Sequence, residues 1–212
     1  MKIRYRGRVM TDRAARLLSL ALSLFIPGNA RSDPGTFDPH TIVFIGSSSI
    51  EFWKTLPADF AGHRVLNLGK AGTTYSHLVA NVGEWAARYP ARRYVIYSGD
   101  NDINAGKSPA QVLADFREFV ARIHAKLPRT EIVFIGLCPT IARWKEAEAN
   151  RELNRLVSQF AQQNPRVKYI ETYQMSFDAV GRPRSDIFIK DMLHFNSEGY
   201  RLLTDLVRPY LR

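Results

Sequence analysis

Phe44-Ile45-Gly46-Ser47-Ser48-Ser49-Ile50-Glu51-Phe52-Trp53 carries an apolar run, 41–45, into a glycine, three serines and the residues of a helix start. A short, nearly continuous apolar run with β-branched residues fits a strand buried on both faces. A strand that turns at its carboxyl end into a helix is the corner where open α/β sheets put ligands and chemistry. Backbone N–H groups and the helix dipole at that corner favour negative charge. A serine there has its hydroxyl near the top of the sheet. Three serines in a loop also serve as turn and N-cap residues, so this segment alone leaves both roles open.

Outward from it, similar runs recur at 64–68, 93–97, 131–137 and 167–171. Helical patterns fill the gaps. Thr73 to Tyr89 spaces Leu78, Val82 and Trp85 helically before Pro90, and Ser108-Pro109 supplies an N-cap serine and a first-turn proline. The helix that follows has Val112, Leu113, Phe116, Phe119, Val120, Ile123 and Leu127 on one stripe. Asn150 to Gln163 and Ser197 to Leu211 repeat the pattern. Strands alternating with helices predict a parallel sheet covered on both sides.

The chain has 212 residues, 45% of them hydrophobic, enough for one sizeable core. Its net charge of +10 is uneven: Lys2, Arg4, Arg6, Arg8, Arg13 and Arg16 face Asp12 alone in the first thirty residues. The remaining arginines are scattered and not interleaved with aromatics on one face, which argues against a nucleic-acid partner. The basic start precedes Leu17–Ile26, apolar apart from Ser19 and Ser23, and then Pro27-Gly28-Asn29-Ala30. That layout predicts a secretory signal over 1–30 with a cut after Ala30, and a periplasmic or secreted product. Ten residues are too few for a membrane span, which needs about 20. Residues 31–40, with Asp33-Pro34-Gly35 and Asp38-Pro39, read as a linker, and 41–212 as the folded domain. The one cysteine, Cys138, closes an apolar strand and is expected to be a buried, inert thiol; no zinc spacing exists.

Four blocks fall at strand or helix boundaries: Gly46-Ser47-Ser48, Asn67 to Thr74, Ser98-Gly99-Asp100-Asn101-Asp102, and Asp191-Met192-Leu193-His194. Each alone can be a turn or a cap. Together they hold the parts of nucleophilic catalysis. A serine hydroxyl needs an adjacent base, and histidine suits that task. Asp191, three residues before His194, can meet the ring across one helical turn and fix its tautomer. The N–H groups of Ser48 and Gly72 and the side-chain amide of Asn101 are candidate oxyanion donors. Glycine at 72 allows close backbone approach. His40, His63, His77 and His124 lack such surroundings and read as structural or surface residues.

With these four blocks, from Thr41 to the C-terminus, the chain resembles the SGNH, or GDSL-type, serine hydrolases. The resemblance implies a flavodoxin-like three-layer α/β/α sandwich with a five-stranded parallel sheet. It implies Ser48 as nucleophile, Asp191 and His194 as the rest of a triad, Gly72 and Asn101 as oxyanion donors, and no metal or organic cofactor. Ser47 stands where the family's usual Gly-Asp-Ser-Leu has aspartate, and Gly-Ser-Ser-Ser-Ile followed by Trp53 matches a variant of that motif. Ser47 and Ser49 are the rival nucleophiles. The loop with Pro139, Thr140, Arg143 and Trp144 also looks family-like; Arg143 and Trp144 either line the site or serve as a surface ion pair and packing.

The expected activity is hydrolysis of carboxylic esters through an acyl-serine, with short acyl or acetyl esters of small molecules or glycans as substrates. A lysophospholipase or thioesterase of the same fold is the alternative within this chemistry. A non-catalytic module binding acylated glycan or lipid, using Trp53 and Trp144, is the alternative outside it. A nucleotide or flavin binder ranks last, because Gly69-x-x-Gly72 is too sparse for a phosphate loop.

Overall fold

The computed structural model describes residues 38–211. β1 (Asp38–Gly46), β2 (Arg64–Asn67), β3 (Ala91–Tyr97), β4 (Glu131–Ile135) and β5 (Val167–Ile170) form one sheet in the order β2-β1-β3-β4-β5. Every pairing is parallel, and Phe44 sits opposite Asn67 on one side and Val95 on the other. The five apolar runs each supply a strand. This is the flavodoxin-like order, in which the chain reverses its direction of travel between β1 and β3.

The helices are α1 (Ser48–Glu51), α2 (Leu56–Asp59), α3 (Tyr75–Arg88), α4 (Asp100–Asn104), α5 (Pro109–Lys126), α6 (Ala147–Gln162) and α7 (Ser197–Val207). Right-handed crossovers place α3, α5 and α6 on one face, because those three connections run the same way across the sheet. There the Phe116 ring lies 5.9 Å from Tyr75, 5.2 Å from Phe134 and 5.8 Å from Phe160. On the other face Trp53 lies 5.9 Å from Phe44, 5.6 Å from Phe60 and 5.4 Å from Tyr200, tying the α1–α2 segment to α7. Burying each such ring stabilises the fold by roughly 1.5–3 kcal/mol. Trp53 is only 1% exposed, and its indole N–H donates to Asp59 at 2.7 Å. It is a core residue, not a binding surface.

Three boundaries differ from the sequence reading. Residues 38–40, read as linker, belong to β1. The Asp38 carboxylate accepts from His40 N–H, Thr41 Oγ and Arg64, and Asp38 N–H donates to Pro90 O, so the Asp-Pro pair opens a strand rather than a turn. The run 131–137 leaves the sheet after Ile135, and Leu137 N–H donates to Asn154 Oδ1 at 2.7 Å. The last helix ends at Val207 and tightens into a 3₁₀ turn, Arg208–Leu211, around Pro209. The segment 1–30, read as an export signal, lies outside the described residues, as does most of the linker.

Candidate active site

Ser48 is the first residue of α1, directly beyond the end of β1. Its N–H therefore has no acceptor within the helix. Ser47 holds the N-cap position, with its N–H on Tyr97 O at 3.0 Å and its buried hydroxyl without a partner. Ser49 is also buried. Of the three serines only Ser48 reaches His194, with Oγ 3.0 Å from Nε2. The other edge of that imidazole, Nδ1–H, donates to Asp191 Oδ2 at 2.6 Å. With the Nδ1 proton held on the carboxylate, Nε2 presents its lone pair to the hydroxyl. A proton can then pass from serine to histidine while the carboxylate stabilises the imidazolium.

Asp191 does not reach the ring across a helical turn. Residues 191–194 form a tight non-helical turn in which Met192 takes φ 57°, and Asp191 Oδ1 accepts from the N–H groups of Leu193 and His194. The pair does not cap the last helix either. That cap is Asn196, whose Oδ1 accepts from Glu198 and Gly199 N–H. Burial works to raise the Asp191 carboxyl, but the hydrogen bonds from His194 N–H, its imidazole and Leu193 N–H prevail and lower it to about 2. The Phe52 ring packs edge-on against the imidazole at 5.0 Å.

The 67–74 loop is fastened on both sides of Gly72. Lys70 N–H donates to Gly46 O, Ala71 N–H to Glu51 Oε2 at 2.7 Å, and Thr73 O accepts from Asn101 Nδ2 at 3.0 Å. Gly72 is thereby held between the β1–α1 corner and Asn101. It takes φ 75°, and a Cβ built there would meet no atom within 4 Å. Glycine is required by this left-handed backbone, not by a protein neighbour. The Asn101 amide is oriented from both ends, since Arg143 Nη1 donates to its Oδ1 at 3.0 Å and to Asp100 Oδ2 at 2.8 Å. One amide N–H of Asn101 remains beyond the bond to Thr73. Burial pushes the Asp100 carboxyl up, with the Arg143 guanidinium opposing.

Arg143 is thus both an ion-pair partner and a lining residue. Beside Ser48 it borders a cavity of about 10 Å³ together with Asp100, Thr140, Glu146 and Asn150. Trp144 is 42% exposed and packs on Phe177 instead. Glu51, Glu146 and Asn150 were not singled out from the sequence. Asn150 had a readable signal: with Asn154 it places an amide on the apolar stripe of α6, and Asn154 is accounted for by its bonds to Leu137 N–H and O. The other histidines stand apart from the site. His40, His63 and His77 are exposed, and the ring of His124 bonds Thr130 O. Among the described residues no cluster of three His, Cys, Asp or Glu side chains is suited to a metal ion.

Residues 44–202, which span all four blocks, match the model of the GDSL-like lipase/acylhydrolase family. The chain belongs to that family. Among solved structures with the same fold, a Streptococcus pneumonia protein described as a platelet activating factor superposes with a TM-score of 0.73 at 20% identity, covering 82% of this chain and 85% of that one. A Bacteroides fragilis protein described as an acylhydrolase gives 0.72 at 21% identity, with 86% and 91% covered. A GDSL-like lipase from Bacteroides thetaiotaomicron gives 0.69 at 18%, with 81% and 87% covered. Identities this low speak to the fold. Comparison with curated proteins gives no match. A GDSL-like acylhydrolase acts on esters, and no helix among the described residues is long and apolar enough to cross a membrane.

Proposed function

We propose that this GDSL-like protein, of the Gly-Ser-Ser-Ser-Ile variant, is an exported serine esterase that hydrolyses short-chain acyl esters, acetyl esters of carbohydrates or other small alcohols among them. The observation that carries the reading is the line of contacts from Ser48 Oγ through His194 to Asp191, at 3.0 and 2.6 Å. Ser48 Oγ attacks the ester carbonyl carbon as its proton passes to His194 Nε2. The N–H groups of Ser48 and Gly72 and the free amide N–H of Asn101 receive the oxyanion. The carbon–alkoxide bond then breaks, His194 returns its proton to the departing oxygen, and acyl-Ser48 remains. Water repeats the sequence, with His194 taking its proton, and the acid leaves.

The small space beside Ser48 supports a short acyl group. A void of about 10 Å³ admits one water-sized group. A lysophospholipase or thioesterase needs room for a long chain; a panel of nitrophenyl esters from acetate to palmitate separates the two, with turnover expected to fall steeply beyond the shortest acids. The deciding experiment is Ser48→Ala. Turnover of a short nitrophenyl ester should fall by about 10⁴-fold or more, and labelling by a fluorophosphonate should vanish. Unchanged turnover by the pure variant defeats the reading.

A further inference from the structure

The cavity beside Ser48 is polar, and its polar groups lack partners. Asp100 Oδ1, Thr140 Oγ1, Glu146 Oε2 and Asn150 Oδ1 are buried and make no hydrogen bond within the protein. All four residues border this one cavity. Thr140, Glu146 and Asn150 are 9%, 9% and 3% exposed, so these side chains are committed to the interior. Native proteins rarely leave buried polar atoms unpaired, because each one costs stability. Three of the four are carboxylate or amide oxygens, which accept and do not donate. The cavity therefore suits a hydrogen-bond donor. The Arg143 guanidinium on the same wall can donate in return and is unfavourable to a cation.

The direction of the cavity follows from the tetrahedral carbon. One substituent is Ser48 Oγ, the oxyanion points to Gly72 and Asn101, and the leaving oxygen must lie at His194 Nε2 to collect its proton. The cavity touches Ser48 but none of Gly72, Asn101 and His194. Of the directions about that carbon, this leaves the acyl group's as the one without an assigned neighbour. We infer that this cavity is the end of an acyl subsite and takes the hydroxyl of a short acyl group hydroxylated on its second carbon, a glycolyl-type ester, in preference to the terminal methyl of the isosteric propionyl ester. The inference rests on the acyl-serine reading above. A hydroxyl can donate to Glu146 or Asn150 while accepting from Arg143. A methyl in its place strands the same atoms, and sites built to bind a hydroxyl reject analogues lacking one.

The test uses the purified full-length protein with phenyl acetate, phenyl propionate and phenyl glycolate. Each kcat/KM is divided by the rate constant for hydroxide, because the α-hydroxyl activates the carbonyl by itself. Glycolate should then exceed propionate at least tenfold, and the ratio should collapse towards one in Thr140→Val and in Asn150→Leu. A wild-type ratio at or below one overturns the inference, whether or not either variant folds. So does a high ratio that survives in both variants, since selection is then made elsewhere. Ser48→Ala keeps the two readings apart: if the variant still hydrolyses all three esters, the acyl-serine mechanism fails, an outcome that a wrong acyl preference does not produce.

Discussion

Asp191 is 43% exposed at its side chain, yet three hydrogen bonds hold its carboxyl near 2. Its contribution to stability is complete above the ordinary value of 3.8 and is lost as pH falls towards 2. Over the range in which an esterase is assayed the carboxylate therefore stays ionised and able to hold the imidazole. Asp191→Asn removes the acceptor that holds the Nδ1 proton, and kcat should fall by about 10²- to 10⁴-fold. Steady-state kinetics of the variant with a short nitrophenyl ester check this. Arg143 is a positioning residue in this scheme, because it touches Asn101 Oδ1 and not the reacting carbon. Arg143→Ala should lower kcat by about 10- to 100-fold with a smaller change in KM. In an Asn101→Ala background the same change should cost little more, a non-additivity that general destabilisation does not give. Cys138, 2% exposed with its thiol pushed up to about 11 by burial against weaker opposing bonds from Ser176 and Thr172, should resist iodoacetamide in the folded protein and react in denaturant.

The β1–α1 corner is where element geometry meets chemistry. Gly46 takes φ 138°, and a Cβ there would lie 2.0 Å from Tyr97 O on the paired strand. Gly46→Ala must push β1 from β3, and should cost about 3 kcal/mol or more. Gly72→Ala meets only the backbone term, about 1–2 kcal/mol, and should keep much of its activity because its N–H stays where the loop holds it. Denaturant melts of the two variants, read beside their kcat, separate packing from backbone strain. On α5, Ser108 accepts from Gln111 N–H while Gln111 Oε1 accepts from Ser108 N–H, so Ser108→Ala should cost about 1 kcal/mol. Such elements were readable because their signals are local: Ser108-Pro109 announces a helix, and runs such as 93–97 announce buried strands. The 191–194 turn was misread as helical because its shape comes from one carboxylate gathering two N–H groups and from Met192 at positive φ, which no spacing encodes. The role of Glu51, bracing Ala71 across the corner, depends on two segments meeting in space and leaves no trace in either one.

Across the whole molecule the four blocks converge for a topological reason. In a parallel sheet every strand ends at the same edge, so segments far apart in sequence share one rim, and the reversal between β1 and β3 opens a crevice there. That is why Ser48 and His194 were readable as partners although 146 positions separate them. The polar cavity was not, because Asp100, Thr140, Glu146 and Asn150 come from loops and helix starts whose apposition only packing decides. All five strands and every residue of the proposed mechanism fall within 38–211, so removal of residues 1–30 would take away none of them. Removal would take away half of the net charge of +10, since the six basic residues before Leu17 face a single aspartate. A basic start followed by a ten-residue apolar run is what an export machinery reads, and it fits the proposal that the enzyme works outside the cytoplasm. Produced in a bacterial host with its own N-terminus, the protein recovered from periplasm or medium should begin at Arg31. With Leu20→Arg and Leu22→Arg together, the apolar run is broken and the chain should stay unprocessed inside the cell. An N-terminal sequence beginning at Met1 on cytosolic wild-type protein overturns the export reading and leaves the ester chemistry, which rests on Ser48 and His194, as it stands.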